Sequence, residues 1–292
     1  MILIRQIIKM RWAYFFLFPA YFFFIIFTFI PLTRGLGFSF YDVKLSEKTW
    51  VGLGNFEKLY DDAAFWKSLT NTVLIVVGVV PVGLVLSLGI AVLVFQLGKL
   101  MQTFFRMAFY LPVVASGVVL SMVWIWILHP NYGLMNYMIG LFGLDPVAWL
   151  GTPGMALLSI IGVTITFIIG QPIILFLAAL GGIPGDLYES AMIDGANAWR
   201  RFISITLPLL KPTTLFVIVT KTIAVFQVFV VVLLLTGGGP ANSTQTIVFR
   251  IYQTAFDFFN FGYASALGVV LLVIVSLITW INFRLLGRDT EF

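Results

Sequence analysis

Few side chains in this 292-residue chain are equipped for chemistry, and that scarcity narrows the options. It has one histidine, His129, and no cysteine. Disulfides, thiolate nucleophiles, Cys-ligated metals and histidine clusters are therefore excluded, and no metal is expected. No G-x-x-x-x-G-K-[ST] string occurs, so no phosphate loop of that type is available to hold ATP. Two features remain. Lys221 is a lone charge inside a long apolar run, and residues 183–208 gather Asp, Glu, Ser, Asn, Arg and four prolines or glycines into one interhelical stretch. The first can meet a ligand and the second a partner, but neither supplies a nucleophile–base pair. An enzyme is not expected.

The elements that carry these residues follow from composition. Hydrophobic residues make up 61% of the chain, aromatic ones 16% and charged ones 10%, with a mean hydropathy of +1.06. Soluble domains carry about a quarter charged residues, so this chain cannot cover itself in water. A helix needs roughly 20 apolar residues to cross the hydrocarbon. Six runs qualify: 12–33, 69–95, 107–128, 155–181, 212–236 and 262–284. They are continuously apolar rather than alternating, which favours helices over barrel strands. The expectation is an all-α, polytopic membrane protein with six transmembrane helices. The first run follows Arg5, Lys9 and Arg11. It is longer than a signal-peptide core, so it is read as a retained span.

Basic residues orient the chain. With the N-terminus inside, ten Lys and Arg face the cytoplasm, among them Lys99, Arg106, Arg200, Arg201, Lys211 and Arg288, against six outside, five of them in the 34–68 loop. This positive-inside bias places both termini in the cytoplasm. The net charge of +5 then needs no nucleic acid. The organisation expected is a first helix with an outer loop (1–68), a five-helix core (69–286) containing an inner loop at 182–211, and a short cytoplasmic tail (287–292). Pro81, Pro112 and Gly170-Gln171-Pro172 interrupt the apolar runs. Such breaks serve either a transport path or a packing kink.

Within the inner loop, Asp186 followed by Glu189 reads as a capping-box-like helix start. About two turns run from Tyr188 to Asp194, Gly195 suits a left-handed cap, and a second short helix from about Asn197 should stop at Pro208. Small residues at Ser190, Ala191 and Ala196 permit close approach by another protein. The plainer alternative is a solvated linker, which needs neither caps nor small faces.

The string Glu189-Ser190-Ala191, then Asp194-Gly195-Ala196, then Phe202, Ile205 and Leu207-Pro208, closely resembles the cytoplasmic signature of binding-protein-dependent ABC importer permeases. Ser190 stands where that family usually has alanine. Gly52-Leu53-Gly54-Asn55-Phe56, Phe65-Trp66, Asn71-Thr72, Leu111-Pro112, Trp124-Ile125-Trp126 and Thr236-Gly237-Gly238-Gly239-Pro240 with Tyr252-Gln253 resemble its sugar-permease branch, the membrane subunits of maltose and glycerol-phosphate importers. The resemblance covers about 50–285. Near Phe226-Gln227-Val228-Phe229 the family often continues with an acid, where this chain has Val230.

The resemblance implies the type I ABC importer permease fold in a bacterial or archaeal inner membrane. It also implies a coupling helix within 186–208 that seats on a separate ATPase. No cofactor belongs to this chain; ATP and Mg²⁺ lie on two partner ATPase subunits. Further partners are a second, related permease, an extracytoplasmic solute-binding protein, a sugar substrate and membrane lipid. The rival reading is an ion-coupled secondary transporter, which would bury a carboxylate in its spans. None of the six runs contains Asp or Glu.

Lys221 lies nine residues beyond Pro212, about 13 Å along a helix axis and so near the midplane. An ammonium there costs roughly 2.5–3.5 kcal/mol unless it meets water, a partner or a ligand. Either it lines a substrate path, or it snorkels toward the inner surface or bonds to carbonyls of a neighbouring subunit. In the resembling family the helices flanking the coupling loop line the sugar site. Thr164 and Gln171, seven apart on one face of helix four, and Lys221 with Gln227 on helix five are the polar candidates. A cation there would suit an anionic ligand such as a uronic-acid oligosaccharide or a sugar phosphate.

Overall fold

The computed structural model describes residues 11–44 and 47–286. Arg5, Lys9, Arg288 and the 287–292 tail lie outside the described residues. In chain order, α1 (Arg11–Phe24) passes through a π-helical turn at Ile25–Phe29 into α2 (Ile30–Phe38), followed by strands β1 (Tyr41–Val43) and β2 (Lys48–Trp50) and helix α3 (Gly54–Asp61). Then come α4 (Ala63–Phe95), α5 (Lys99–Val114), α6 (Gly117–Ile127), α7 (Leu134–Gly140), α8 (Pro153–Ile168) and α9 (Gly170–Gly181). The interhelical stretch holds α10 (Gly185–Ile193), α11 (Ala198–Arg201), a π turn at Phe202–Thr206 and α12 (Leu207–Leu209). The chain continues through α13 (Lys211–Phe226), α14 (Val230–Leu235), α15 (Ile247–Tyr252) with a π turn at Gln253–Asp257, and α16 (Phe261–Leu286).

The spans are helical as their composition requires, but the chain is not all-α. Inside the 34–68 loop, β1 and β2 form an antiparallel hairpin with Tyr41 opposite Trp50. Aromatic and β-branched residues drive this local pairing: the Trp50 ring lies 4.9 Å from that of Tyr41, and the Lys48 ammonium sits 4.2 Å over the Tyr41 ring.

Contacts divide the chain into two units. One unit comprises the described residues up to Asp61 with Ile251–Leu271. Its first rod, Tyr14–Phe38, buries none of its apolar window. Asn55 anchors the hairpin by donating from Nδ2 to the carbonyls of Ser39 and Tyr41, both at 2.9 Å. Gly262 is needed at the start of α16, because a Cβ there would overlap the Tyr41 carbonyl oxygen.

The other unit is organised along α4, whose 33 residues touch α8, α9 and α13. Asp62 caps it, accepting from the Ala64 amide at 2.9 Å. The helix therefore starts well before the expected Leu69, because the hydropathy of 63–68 gave no sign of the cap. One apolar cluster gathers Ile75, Val79, Ile160, Val163, Val225 and Val232. A second gathers Ala91, Ile173, Phe176, Leu177, Leu210 and Val217.

Among the described residues, three helices, Tyr14–Phe38, Ala63–Phe95 and Phe261–Arg284, are long and apolar enough to cross a bilayer alone. Three bent pairs pass the same test together, which gives three to six spans. The pair α5–α6 bends by 100°, so the run 107–128 is not one helix. Ala115 and Ser116 are extended there, and Ser116 Oγ caps α6, accepting from Val118 N at 3.3 Å. The pair α8–α9 bends by 43° beside the foreseen Gly170-Gln171-Pro172. The run 212–236 is also broken, since α13 ends at Phe226 and α14 starts at Val230. Non-helical backbone at membrane depth survives only where protein or a water-filled cavity satisfies it.

The 236–247 loop follows that rule. Ser243, Thr244, Gln245, Thr246 and Ile247 are all buried. Asn71 Nδ2 donates to the Asn242 and Gln245 carbonyls at 2.8 and 3.1 Å, and the Thr72 hydroxyl accepts from Ile247 N at 3.0 Å. Thr246 Oγ1 donates to the Val228 carbonyl at 3.0 Å in the gap between α13 and α14. An ion pair at 3.2 Å joins Arg250 to Asp62.

Candidate functional site

Residues 183–209 form an elbow whose ends are tied down and whose outer surface is free. Helix α10 ends as expected: Gly195 adopts φ +77°, its amide donates to the Met192 carbonyl at 3.0 Å, and the Ala196 amide donates to the Ala191 carbonyl at 2.9 Å. That pair of bonds is the Schellman termination, which a glycine makes at least cost. Asn197 then caps α11, its Oδ1 accepting from Arg200 N at 2.8 Å. The Tyr188 and Thr206 hydroxyls share a hydrogen bond of 2.9 Å that holds α10 against the second half of the elbow.

Two expectations for this segment are corrected. No capping box forms: Pro184 occupies the N-cap position without a side-chain bond, and Asp186 sits inside the first turn. A carboxylate there still favours the helix N-terminus. Nor does Pro208 stop the second helix. It lies at the start of α12, where a missing amide proton costs little, and the helical path runs on to Leu209 before turning by 63° into α13.

Of the residues singled out in sequence, Glu189, Ser190, Asp194, Gly195, Leu207 and Pro208 are exposed, while Ala191 and Ala196 are half-buried. Large apolar side chains stand among them in the open, with Ile193 at 87% exposure and Trp199 at 69%. Exposed apolar surface rimmed by polar groups marks an interaction site. It is laid out here on a backbone whose own bonds are satisfied.

The polar candidates in the spans separate cleanly. Lys221 Nζ donates to Gln171 Oε1 at 2.8 Å, bridging α13 to α9. A carboxamide oxygen satisfies one ammonium donor without cancelling the charge. Thr164 is not part of this group: it is buried and its hydroxyl donates to the Ile160 carbonyl at 2.6 Å within α8. The break at Ile168–Gly170 also removes the shared face expected for Thr164 and Gln171. Gln227 is exposed at the C-terminal end of α13. Among the described residues no three His, Cys, Asp or Glu side chains come together.

Sequence reasoning missed the tight crossing of α5 and α9. A Cβ on Gly170 would overlap the Phe109 carbonyl oxygen and lie 2.7 Å from Val113 Cγ2. The missed Tyr188–Thr206 bond spans 18 residues and left no local signature.

Apolar helices broken at membrane length, beside a capped elbow with exposed apolar side chains, define a membrane-protein class. Residues 79–289 match the family described as binding-protein-dependent transport system inner membrane component. The sulfoquinovosyl glycerol transport system permease protein of Agrobacterium fabrum is 34% identical over 263 residues, covering 88% of this chain and 84% of its own. The diacetylchitobiose uptake system permease protein of Streptomyces coelicolor is 36% identical over 282 residues, covering 90% and 80%. The crystal structure of a bacterial ABC transporter involved in the import of the acidic polysaccharide alginate contains a chain that superposes with a TM-score of 0.88, at 26% identity and with 100% of both chains covered. The chain belongs to the family of binding-protein-dependent ABC importer permeases, in its sugar-permease branch.

Proposed function

We propose that the chain carries a sugar or oligosaccharide across the membrane as one permease of an ATP-driven importer, with the elbow at 186–208 as the seat of a separate ATPase subunit. The observation that carries the coupling role is the elbow itself: two short, capped helices that expose Met192 and Ile193 while Tyr188 and Thr206 lock them together. A solvated linker needs none of this. Six spans are assigned by counting each broken pair as one crossing, and both termini are placed inside by the excess of basic residues on that side. The complex would hold two ATPase subunits with their ATP and Mg²⁺, a related second permease and an outer solute-binding protein.

The substrate path is assigned to the Lys221–Gln171 pair, and an anionic sugar is the class it suits. An ammonium near the midplane whose described partner is a neutral amide keeps charge available for a carboxylate. The relative that imports an acidic polysaccharide supports this reading.

The chain has no cysteine, so one introduced thiol reports alone. With Ile193→Cys in native membranes, a bifunctional crosslinker is expected to join this position to the ATPase, and ATP turnover to follow when substrate-loaded binding protein is added. A chain that purifies without an ATPase and takes up sugar on an ion gradient would overturn the assignment.

A further inference from the structure

We infer that the cleft behind the elbow is a binding site for an anionic glycerophospholipid of the inner leaflet, and that the importer couples best when it is filled. The inference rests on the proposed cytoplasmic placement of residues 186–208. The cleft has a volume of about 860 Å³ and lies between the C-terminal turns of α4 and the elbow. One wall, made of Gly89, Val92 and Leu93, belongs to a spanning helix and is apolar. The facing wall carries Tyr188, Trp199 and Arg201.

Three observations choose the occupant. First, α4 is apolar and long enough to span a membrane and ends at Phe95, so with residues 186–208 on the cytoplasmic side its last turns approach the inner-leaflet headgroups. Second, the walls differ in the sense a phospholipid requires. Acyl chain fits the α4 side, and the opposite rim has a guanidinium, an indole and a phenol, the side chains enriched where hydrocarbon meets headgroup. Third, no acidic residue lines the cleft, and Arg201 forms no ion pair among the described residues. A guanidinium on a site free of carboxylates is matched to a phosphate. Basic pockets on the cytoplasmic side of membrane helices bind anionic headgroups in this manner.

The site also touches the machinery. Tyr188 belongs to α10, and its hydroxyl is the partner of Thr206, which lines the same cleft. A seated lipid would brace the joint that keeps the elbow's two halves together. Gly89 offers a place to block the site, since it is exposed and a Cβ there meets nothing within 4 Å.

The test uses the assembled importer in nanodiscs, either of phosphatidylcholine alone or with phosphatidylglycerol added. A trace of phosphatidylglycerol carrying a diazirine on its acyl chain is photolysed, and the labelled peptides are mapped. Labelling is expected on the 89–96 and 198–206 peptides, with competition by phosphatidylglycerol and not by phosphatidylcholine. It should drop about tenfold in Arg201→Gln, the loss of one charged hydrogen bond, and disappear in Gly89→Phe. Substrate-stimulated ATPase activity should rise with phosphatidylglycerol in the parent complex and lose that response in both variants. Labelling that ignores both substitutions, or that phosphatidylcholine competes equally, would overturn the site. A variant complex that retains its ATPase subunits but loses labelling separates this site from the coupling role, whose own failure would show as loss of the ATPase.

Discussion

Gly195 offers a clean test of the elbow, because a side chain there would touch nothing. A Cβ built on it has no atom within 4 Å, and its φ is +77°. Within the chain itself, any penalty for substitution is therefore conformational. For Gly195→Ala the left-handed backbone costs about 1–2 kcal/mol, equivalent to about a five- to thirtyfold fall in the population of the formed elbow. Asn tolerates this region better than other non-glycine residues, so Gly195→Asn should lose least. Pro is fixed near φ −65° and has no amide proton, so Gly195→Pro can neither reach +77° nor donate to the Met192 carbonyl. That variant should lose more than about a hundredfold, from a cost of ~3 kcal/mol or more. The assay is titration of purified ATPase subunits onto permease in nanodiscs, with substrate-stimulated turnover measured alongside. The expected order of affinity is Gly, Asn, Ala, Pro. If Gly195→Pro bound as tightly as the parent chain, the elbow could not be what the ATPase reads.

Lys221→Met should reduce uptake of acidic oligosaccharides about ten- to hundredfold, the loss of a charged hydrogen bond of ~1.5–3 kcal/mol, and leave neutral sugars alone; equal changes in both would remove charge from the selection. Gly170→Ala should lower the melting temperature of the complex through about 1–3 kcal/mol of overpacking, because its Cβ would overlap the Phe109 carbonyl oxygen; an unchanged melting curve would mean that α5 can move aside. Asn71→Ala takes one side-chain donor from both the Asn242 and Gln245 carbonyls, and at about 1–3 kcal/mol for each group left unsatisfied it should open residues 236–247 to protease. Continued resistance would show that water replaces the amide.

What was legible in sequence was local. Continuous apolar runs marked helices of membrane-spanning composition, a lone lysine stood out against them, and Gly195 announced a left-handed cap. Errors arose where distant backbone decides. Nothing in hydropathy distinguishes the run 107–128 from an unbroken helix, because Ala115 and Ser116 turn the chain without adding polarity. Pro208 was read as a stop, although in the first turn of a new helix a proline is tolerated. The match of Thr164 to Gln171 assumed a straight helix, and the bend at Ile168–Gly170 undoes it. The Lys221–Gln171 bond joins residues 50 apart, so only the two residue types could be named beforehand, not their meeting.

The positions of the bends connect the elbow to that bond. Helix α9 leads into the elbow and α13 leads out of it. Both pack with the C-terminal half of α4 in one apolar cluster through Ala91, Ile173, Leu177, Leu210 and Val217. The N-terminal half of α4 belongs with α8 and α14 in the other cluster, through Ile75, Val79, Ile160 and Val232. Ser87 stands where the two meet, its hydroxyl bonded to the Gly83 carbonyl at 2.6 Å and reaching the Ile169 carbonyl, at the α8–α9 bend, at 3.3 Å. Packed clusters resist continuous deformation and shift as bodies. Helix α13 reaches both clusters, through Val217 in one and Val225 in the other, so in the proposed reading a load on the elbow would pass along α13 and meet the 43° bend beside Ile169. Gln171 lies two residues past that bend, so the Lys221–Gln171 bond sits where displacement of one cluster against the other is felt first. In the proposed reading, the same motion that the ATPase imposes on the elbow would rearrange the site that holds the sugar.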